Sequence, residues 1–252
     1  MPPRQDVAGG FAFAVGMQVS VPRARALRVV DLTGGLRWHM RAFARRSGLW
    51  GPFRFSLAQW LDGWRPGSDR LLLVGPSAGW CLPTSFLARF SQVSAVDLDP
   101  AARVLFGLNH AALRTRLSWR TEDFFAARGR ILEEHAGYAV LLCNLAGQRR
   151  FHHADWRACE AEMLGLRAAL EGRDWASFHD LMSGPCAFAP LWPRSLDARP
   201  DGERLLRDYG LDGEWLDHLT ADLLPPAQAR MILPWRFKRD RLHLVEAGWV
   251  AG

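Results

Sequence analysis

The 252-residue chain holds a single lysine, Lys238, among its 32 basic residues. An anionic partner would therefore meet guanidinium groups, planar donor forks rather than compact ammonium charges. Its four cysteines, Cys81, Cys143, Cys159 and Cys186, stand far apart with no C-x-x-C pair. That spacing excludes a zinc ribbon and a disulfide framework, and leaves buried thiols in a reducing compartment. No apolar run approaches the ~20 residues needed to cross a bilayer, so no membrane partner is expected. The apolar stretch from Phe11 to Val15 only imitates a secretory h-region, because it is short, is followed by Gly16 and Gln18, and comes after Asp6. A cytoplasmic location is the expectation.

With 49% hydrophobic and 23% charged residues, the chain reads as soluble and globular, long enough for one large domain or a domain with an appendage. The net charge of +6 is unevenly placed. Residues 1–70 hold 11 arginines against four acids, and residues 71–252 hold 21 basic residues against 22 acids. The basic character belongs to the N-terminal segment.

That segment offers two short β-like pieces, Phe11 to Val15 and Met17 to Val21, which fit a small hairpin. Two helices follow, Leu36 to Arg46 and Phe55 to Trp64, broken by Gly48, Gly51 and Pro52. Arg37, Arg41 and Arg45 form a positive stripe at i, i+4 and i+8, read first as a solvated face, while Leu36, Met40 and Phe43 are expected to face the body. Trp38, Trp50, Trp60 and Trp64 make the segment strongly aromatic, with core packing the expected role for most of them.

From residue 70 strands and helices alternate, the pattern of an open parallel sheet covered on both faces. Leu71 to Val74 is a buried strand ending at Gly75, and Gly75 and Gly79 frame a tight turn. A helix over Pro83 to Phe90 leads to a strand, Val93 to Val96, that ends in Asp97. A glycine turn at the carboxyl end of one strand and a carboxylate at the end of its neighbour make half of a nucleotide-binding unit. Asp99-Pro100 starts a helix with Val104, Leu105, Leu108 and Ala112 on its expected apolar face. Further strands are expected over Leu117 to Trp119, Tyr138 to Cys143 and Trp175 to Phe178, with helices over Ala126 to His135 and Asp155 to Leu170. The stretch from Leu181 to Pro200 reads as a long loop of the kind that covers a site. Helical segments over Glu203 to Tyr209 and Gly213 to Leu223 precede an antiparallel hairpin, Arg230 to Lys238 and Arg241 to Trp249, with Pro234 near an edge or a bulge.

Several residues at this sheet edge could carry chemistry. The side-chain amide of Asn144 both donates and accepts, and His179 beside Asp180 could furnish a base. His152, His153 and Asp180 have the donor types of a metal site, but adjacent histidines point apart on most backbones, so no metal is expected.

Five strand-helix units closed by an antiparallel hairpin, seven strands in all, resemble the class I S-adenosylmethionine-dependent methyltransferases, an α/β fold with a Rossmann-like, mostly parallel sheet. The resemblance covers residues 70–250 and leaves residues 1–69 as an N-terminal extension, a cover over the acceptor or a homodimer contact. It implies that Gly75, Ser77 and Gly79 form the cofactor turn and that Asp97 binds both ribose hydroxyls. It further implies that Asp123 meets the adenine amino group, that Phe124 lines the adenine ring, and that Asn144 lies where cofactor and acceptor meet. Ser77 is a departure, since the family places glycine at that position. The rival cofactor, a nicotinamide dinucleotide, wants G-x-G-x-x-G, and Ser77 and Trp80 occupy its second and third glycine positions. The activity implied is methyl transfer from S-adenosylmethionine to a small-molecule or peptidic acceptor, an in-line displacement in which a catalytic base is optional. Two other readings stand beside it: a protein of this fold that serves as an inactive binding or assembly partner, and an RNA methyltransferase served by the arginine-rich segment. No RNA-binding motif is present.

Overall fold

Alternation along a strand sends neighbouring side chains to opposite faces of a sheet, and in this chain both faces are apolar. The structure is a computed structural model and describes residues 35–153, 155–186 and 191–252. The hairpin expected over residues 11–21 lies outside them. In β1 (Arg70–Val74), Leu71 and Leu73 enter one core while Leu72 and Val74 enter the other. β2 (Gln92–Asp97) and β4 (Ala139–Cys143) divide in the same way, Val93 and Leu141 to the first core, Val96 and Leu142 to the second. Such runs are stable only where helices cover both faces.

β3 (Leu117–Thr121) and β5 (Trp175–Pro185) complete a parallel set, joined by the antiparallel pair β8 (Arg230–Lys238) and β9 (Arg241–Val250). The strand order is β3-β2-β1-β4-β5-β9-β8, with β9 antiparallel to β5. Two short strands are added: β6 (Arg194–Leu196) on β8 and β7 (Leu216–Asp217) on β5. The chain reverses direction of winding between β1 and β4, which opens a crevice at their carboxyl ends.

Two helices, α1 (Leu36–Arg45) and α2 (Gly51–Gly63), precede the sheet. α2 lays Phe53, Leu57, Trp60 and Leu61 into the first core, with Phe53 stacked on Trp235 of β8 at 4.7 Å between ring centres. α3 (Thr84–Leu87), α4 (Pro100–Asn109), α5 (Phe124–Glu134), α6 (Trp156–Ala169) and α7 (Gly202–Tyr209) follow. Asp99, Asp123, Asp155 and Asp201 cap the last four, each carboxylate accepting a backbone N–H of the first turn.

Five expectations need correction. The helix expected over Pro83 to Phe90 is a single turn, because the chain leaves it through i to i+3 bonds at Arg89 and Phe90 and pairs Ser91 with Asp69. Val104 and Leu108 are exposed; the buried face of α4 is Ala102 and Phe106. Met40 and Phe43 of α1 are also exposed, and that helix buries His39 and Ala42 instead. The segment over Gly213 to Leu223 is not helical: Gly213 and Leu219 have left-handed φ values of 89° and 58°, and β7 pairs there with Met182 and Ser183. Finally, β5 does not stop at Phe178 but runs eleven residues, through His179 and Asp180 to Pro185, because β9 pairs with its whole length.

Candidate functional site

At the carboxyl ends of β1, β2, β4 and β5 lies a cleft of about 490 Å³, a size suited to a small-molecule ligand. Its first wall is the turn after β1. Gly75, Ser77 and Gly79 all take left-handed φ values, 66°, 52° and 67°. Ser77 thus adopts the conformation glycine favours, and its amide donates to Asp97 Oδ2 at 2.7 Å. Gly75 has no room for a side chain, since a Cβ would stand 2.9 Å from that of Leu145.

Asp97 ends β2 and faces the cleft. Its Oδ1 accepts from the Asp99 amide at 2.9 Å, so each oxygen retains a further lone pair for a ligand hydroxyl. Burial pushes this carboxyl above its ordinary range, and the amides of Asp99 and Ser77 only partly offset it. A group that carries a buried charge with unused acceptor capacity is suited to hydroxyl donors. Asp123 and Phe124 line the same end of the cleft, Asp123 with one oxygen committed to the α5 cap.

Asn144 takes φ 53° after β4, a left-handed position that asparagine tolerates better than most residues. Both ends of its amide are engaged: Oδ1 accepts from the Asp180 amide at 2.8 Å, and Nδ2 donates to Asp180 Oδ2 at 3.3 Å. It therefore orients Asp180 as much as it faces the cleft. Cys81 and Cys143 also line the cleft, but burial pushes the Cys81 thiol up to about 12 and Cys143 well above its ordinary value. Neither is a thiolate nucleophile at neutral pH.

The opposite wall is aromatic and cationic. Trp38 stacks on Phe237 at 5.5 Å, Trp50 lies nearly parallel to Phe237 at 5.9 Å, and Trp235 meets Trp50 edge-on at 5.0 Å. Arg45 and the Trp50 indole both donate to the Phe237 carbonyl, at 3.2 and 3.1 Å, which ties α1 to the end of β8. Arg41, Arg45, Lys238 and Arg241 stand around this end. The arginine stripe expected to be solvated thus sends two members to the cleft. The cover comes from α1 and the terminal hairpin; residues 191–200, part of the loop expected to serve as one, do not line it.

Two of the sequence-predicted residues lie off the cleft. Gly79 packs against Phe106 and His110 behind the turn, where a Cβ would meet His110 at 2.4 Å. His179 is fully buried on the far face of β5, between Ser177 Oγ (2.8 Å) and Glu246 Oε2 (3.0 Å), with Arg230 donating to Glu246 Oε1 at 2.7 Å. Alternation explains it: Phe178 and Asp180 face the cleft, so His179 between them cannot.

Sequence reasoning missed the histidines that do reach Asp180. His243, on β9, places Nδ1 2.9 Å from Asp180 Oδ1, and His218, just after β7, lies beside both. Burial acts to raise the Asp180 carboxyl, but His243, His218 and Asn144 outweigh it and hold the group down at about 2. A bulge between Asp180 and Met182 turns Ser183 toward the same cleft. His153 is committed elsewhere, to Glu162 at 2.9 Å, alongside Arg149.

No protein-family model matches the sequence, and no curated protein does. Solved structures similar to it include an O-methyltransferase from Nostoc punctiforme described as putative, at TM-score 0.49 and 15% identity, covering 88% of this chain and 64% of that one. Magnesium protoporphyrin IX methyltransferase from Synechocystis, with bound S-adenosylhomocysteine, has TM-score 0.41 and 14% identity over 85% of this chain and 89% of its own. A zinc-dependent alcohol dehydrogenase from Rhodobacter sphaeroides, also described as putative, has TM-score 0.35 and 20% identity; the match covers 49% of this chain and 45% of that one. The strand order is five parallel strands wound from the centre, closed by an antiparallel pair whose last strand inserts beside β5. The fold is that of the class I methyltransferases. Within it, the turn after β1 and the acid ending β2 occupy adjacent strands at the crevice. The cleft described above lies at the switch point of that strand order.

Proposed function

We propose that the chain is an S-adenosylmethionine-dependent methyltransferase acting on a small, anionic acceptor. The observation that carries this reading is the junction at Asp97, where the Ser77 amide binds a carboxylate that keeps free acceptor positions toward the cleft. Ribose hydroxyls would use those positions, with Phe124 against the adenine and Asp123 near its edge. The methionine portion would run past Gly75 and Ser77 toward Asn144. The departure at Ser77 does not weaken this reading, because the residue takes the backbone conformation that glycine would take.

Acceptor chemistry follows from the other wall. Trp38, Trp235 and Phe237 supply flat apolar surface, and Arg41, Arg45, Lys238 and Arg241 supply positive charge. A flat or apolar acceptor bearing a carboxylate or phosphate satisfies both. The sulfonium carries its own activation, so the protein's task is to align donor and acceptor and exclude water. Calorimetry with S-adenosylhomocysteine tests the reading. Binding to the native chain, and a loss of about 1–3 kcal/mol, roughly five- to 150-fold, for Asp97→Ala, is the expected result. No binding at millimolar ligand would overturn it, and unchanged affinity in the variant would place the ribose elsewhere.

A further inference from the structure

Asp180, His218 and His243 come from three segments distant in sequence, and one donor atom of each lies within 4.8 Å of the others. All three face the cleft. Asp180 Oδ1 and His243 Nδ1 are buried and 2.9 Å apart, yet neither has a hydrogen-bond partner of acceptable geometry. Buried polar atoms are rarely left so, and two such atoms converging with an imidazole beside them are what a cation would satisfy.

The surroundings are built to hold these donors in place. His218 Nδ1 donates to the Gly147 carbonyl at 2.8 Å, which fixes the tautomer and leaves a lone pair on Nε2. Gly147 approaches β5 closely enough that a Cβ would stand 2.8 Å from that of Asp180. Asp180 Oδ2 is held by Asn144, and the His243 ring rests against Phe237 at 4.7 Å between centres. Outer contacts of this kind, a carbonyl behind a histidine and a donor behind a carboxylate, orient metal ligands. Ser183 Oγ lies 3.0 Å from His218 Nε2 and would turn aside, or become a further neighbour, when that lone pair is used.

We propose that Asp180, His218 and His243 bind a divalent first-row transition-metal ion. Two imidazoles and one carboxylate suit zinc, iron(II), cobalt or nickel, whereas magnesium and calcium favour all-oxygen sets. Three protein ligands leave coordination positions open toward the cleft. An acceptor with oxygen donors, such as a hydroxy or keto carboxylate, would occupy them, its charge matched by the arginines at the cleft mouth. That role rests on the methyltransferase reading; the metal site itself does not.

The test uses the full, tag-free chain, stripped with a chelator and titrated with cobalt(II). Expected are one equivalent of tightly bound cobalt, visible ligand-field absorption, and displacement by zinc. Asp180→Asn and His243→Gln should each weaken cobalt binding at least ten-fold, while His153→Gln should not. A folded native protein, by near-ultraviolet circular dichroism, that gives no such absorption and retains no zinc after dialysis overturns the proposal. The Asp180–His243 approach is then an ion pair closed by a proton. S-adenosylhomocysteine binding is measured on the same metal-free samples. Cobalt without cofactor binding sinks the methyltransferase reading alone, and cofactor without cobalt sinks the metal site alone.

Discussion

Ser77 occupies φ 52°, a region that costs a residue with a Cβ roughly 1–2 kcal/mol. The turn keeps it there because its amide reaches Asp97, so the strain and the contact with that carboxylate belong to one residue. Ser77→Gly should therefore leave stability unchanged or slightly raised, relief of strain being offset by glycine's greater freedom when unfolded. Ser77→Val, with a β-branched side chain in the least tolerant region, should cost about 1–3 kcal/mol and weaken S-adenosylhomocysteine binding as well. Urea unfolding of the two variants checks this, and equal midpoints would mean the turn does not depend on the left-handed conformation.

β5 shows how one strand serves two chemistries. Its cleft face carries Phe178 and Asp180, and its far face carries Ser177 and His179, which join Glu246 and Arg230 in a fully buried network. Arg230 also donates to the carbonyls of Pro225 and Gln228, at 2.6 and 3.0 Å, which ties the entry of β8 to β9. Removing one partner from such a pair leaves a buried charge uncompensated. Arg230→Ala should lower unfolding stability by about 3–5 kcal/mol. Cofactor affinity of the folded protein should not change, because no member of the network lines the cleft. A wild-type midpoint in denaturant would show that water or another group replaces the guanidinium.

The first helix, α1, is attached to the body at Asp99 as well as at Phe237. Asp99 Oδ1 caps α4, while Oδ2 accepts from the Gly35 amide at 2.8 Å and from His39 at 3.0 Å; the Trp80 indole donates to the other His39 nitrogen. Burial would raise this carboxyl, but the Gly35 and Ala101 amides and His39 hold it below its ordinary value. A depressed folded-state pKa means the contribution is complete above the unfolded value, about 3.9, and is lost as pH falls through the folded one. Asp99→Asn keeps a competent cap and removes the charge. Amide protection over residues 35–45, measured relative to the intrinsic exchange rate at each pH, should fall several-fold in the variant at neutral pH, and in the native chain on acidification, while β1 and β4 stay protected. If the variant leaves protection over α1 unaltered, the helix is held by its other contacts, those of Trp38 and Arg45 with Phe237 and of His39 with Trp80.

The layout of strands and helices was readable because both faces of a parallel sheet must be apolar, a constraint visible in four consecutive residues such as Leu71 to Val74. Asp99-Pro100 and the terminal hairpin were readable because caps and turns are local chemistry. Helix faces were less so: Val104 and Leu108 share a helical stripe with no indication that Phe106 would take the core side. The turn after β1 and the acid ending β2 lie on adjacent strands, so short-range spacing was enough to pair them. The Asp180, His218 and His243 constellation left no such trace, since its members lie 38 and 25 residues apart along the chain. Only the insertion of β9 beside β5, and the continuation of β5 past Phe178, bring them together. Those same pairings turned His179 away, since its side depends on strand pairing that no nearby residue reports.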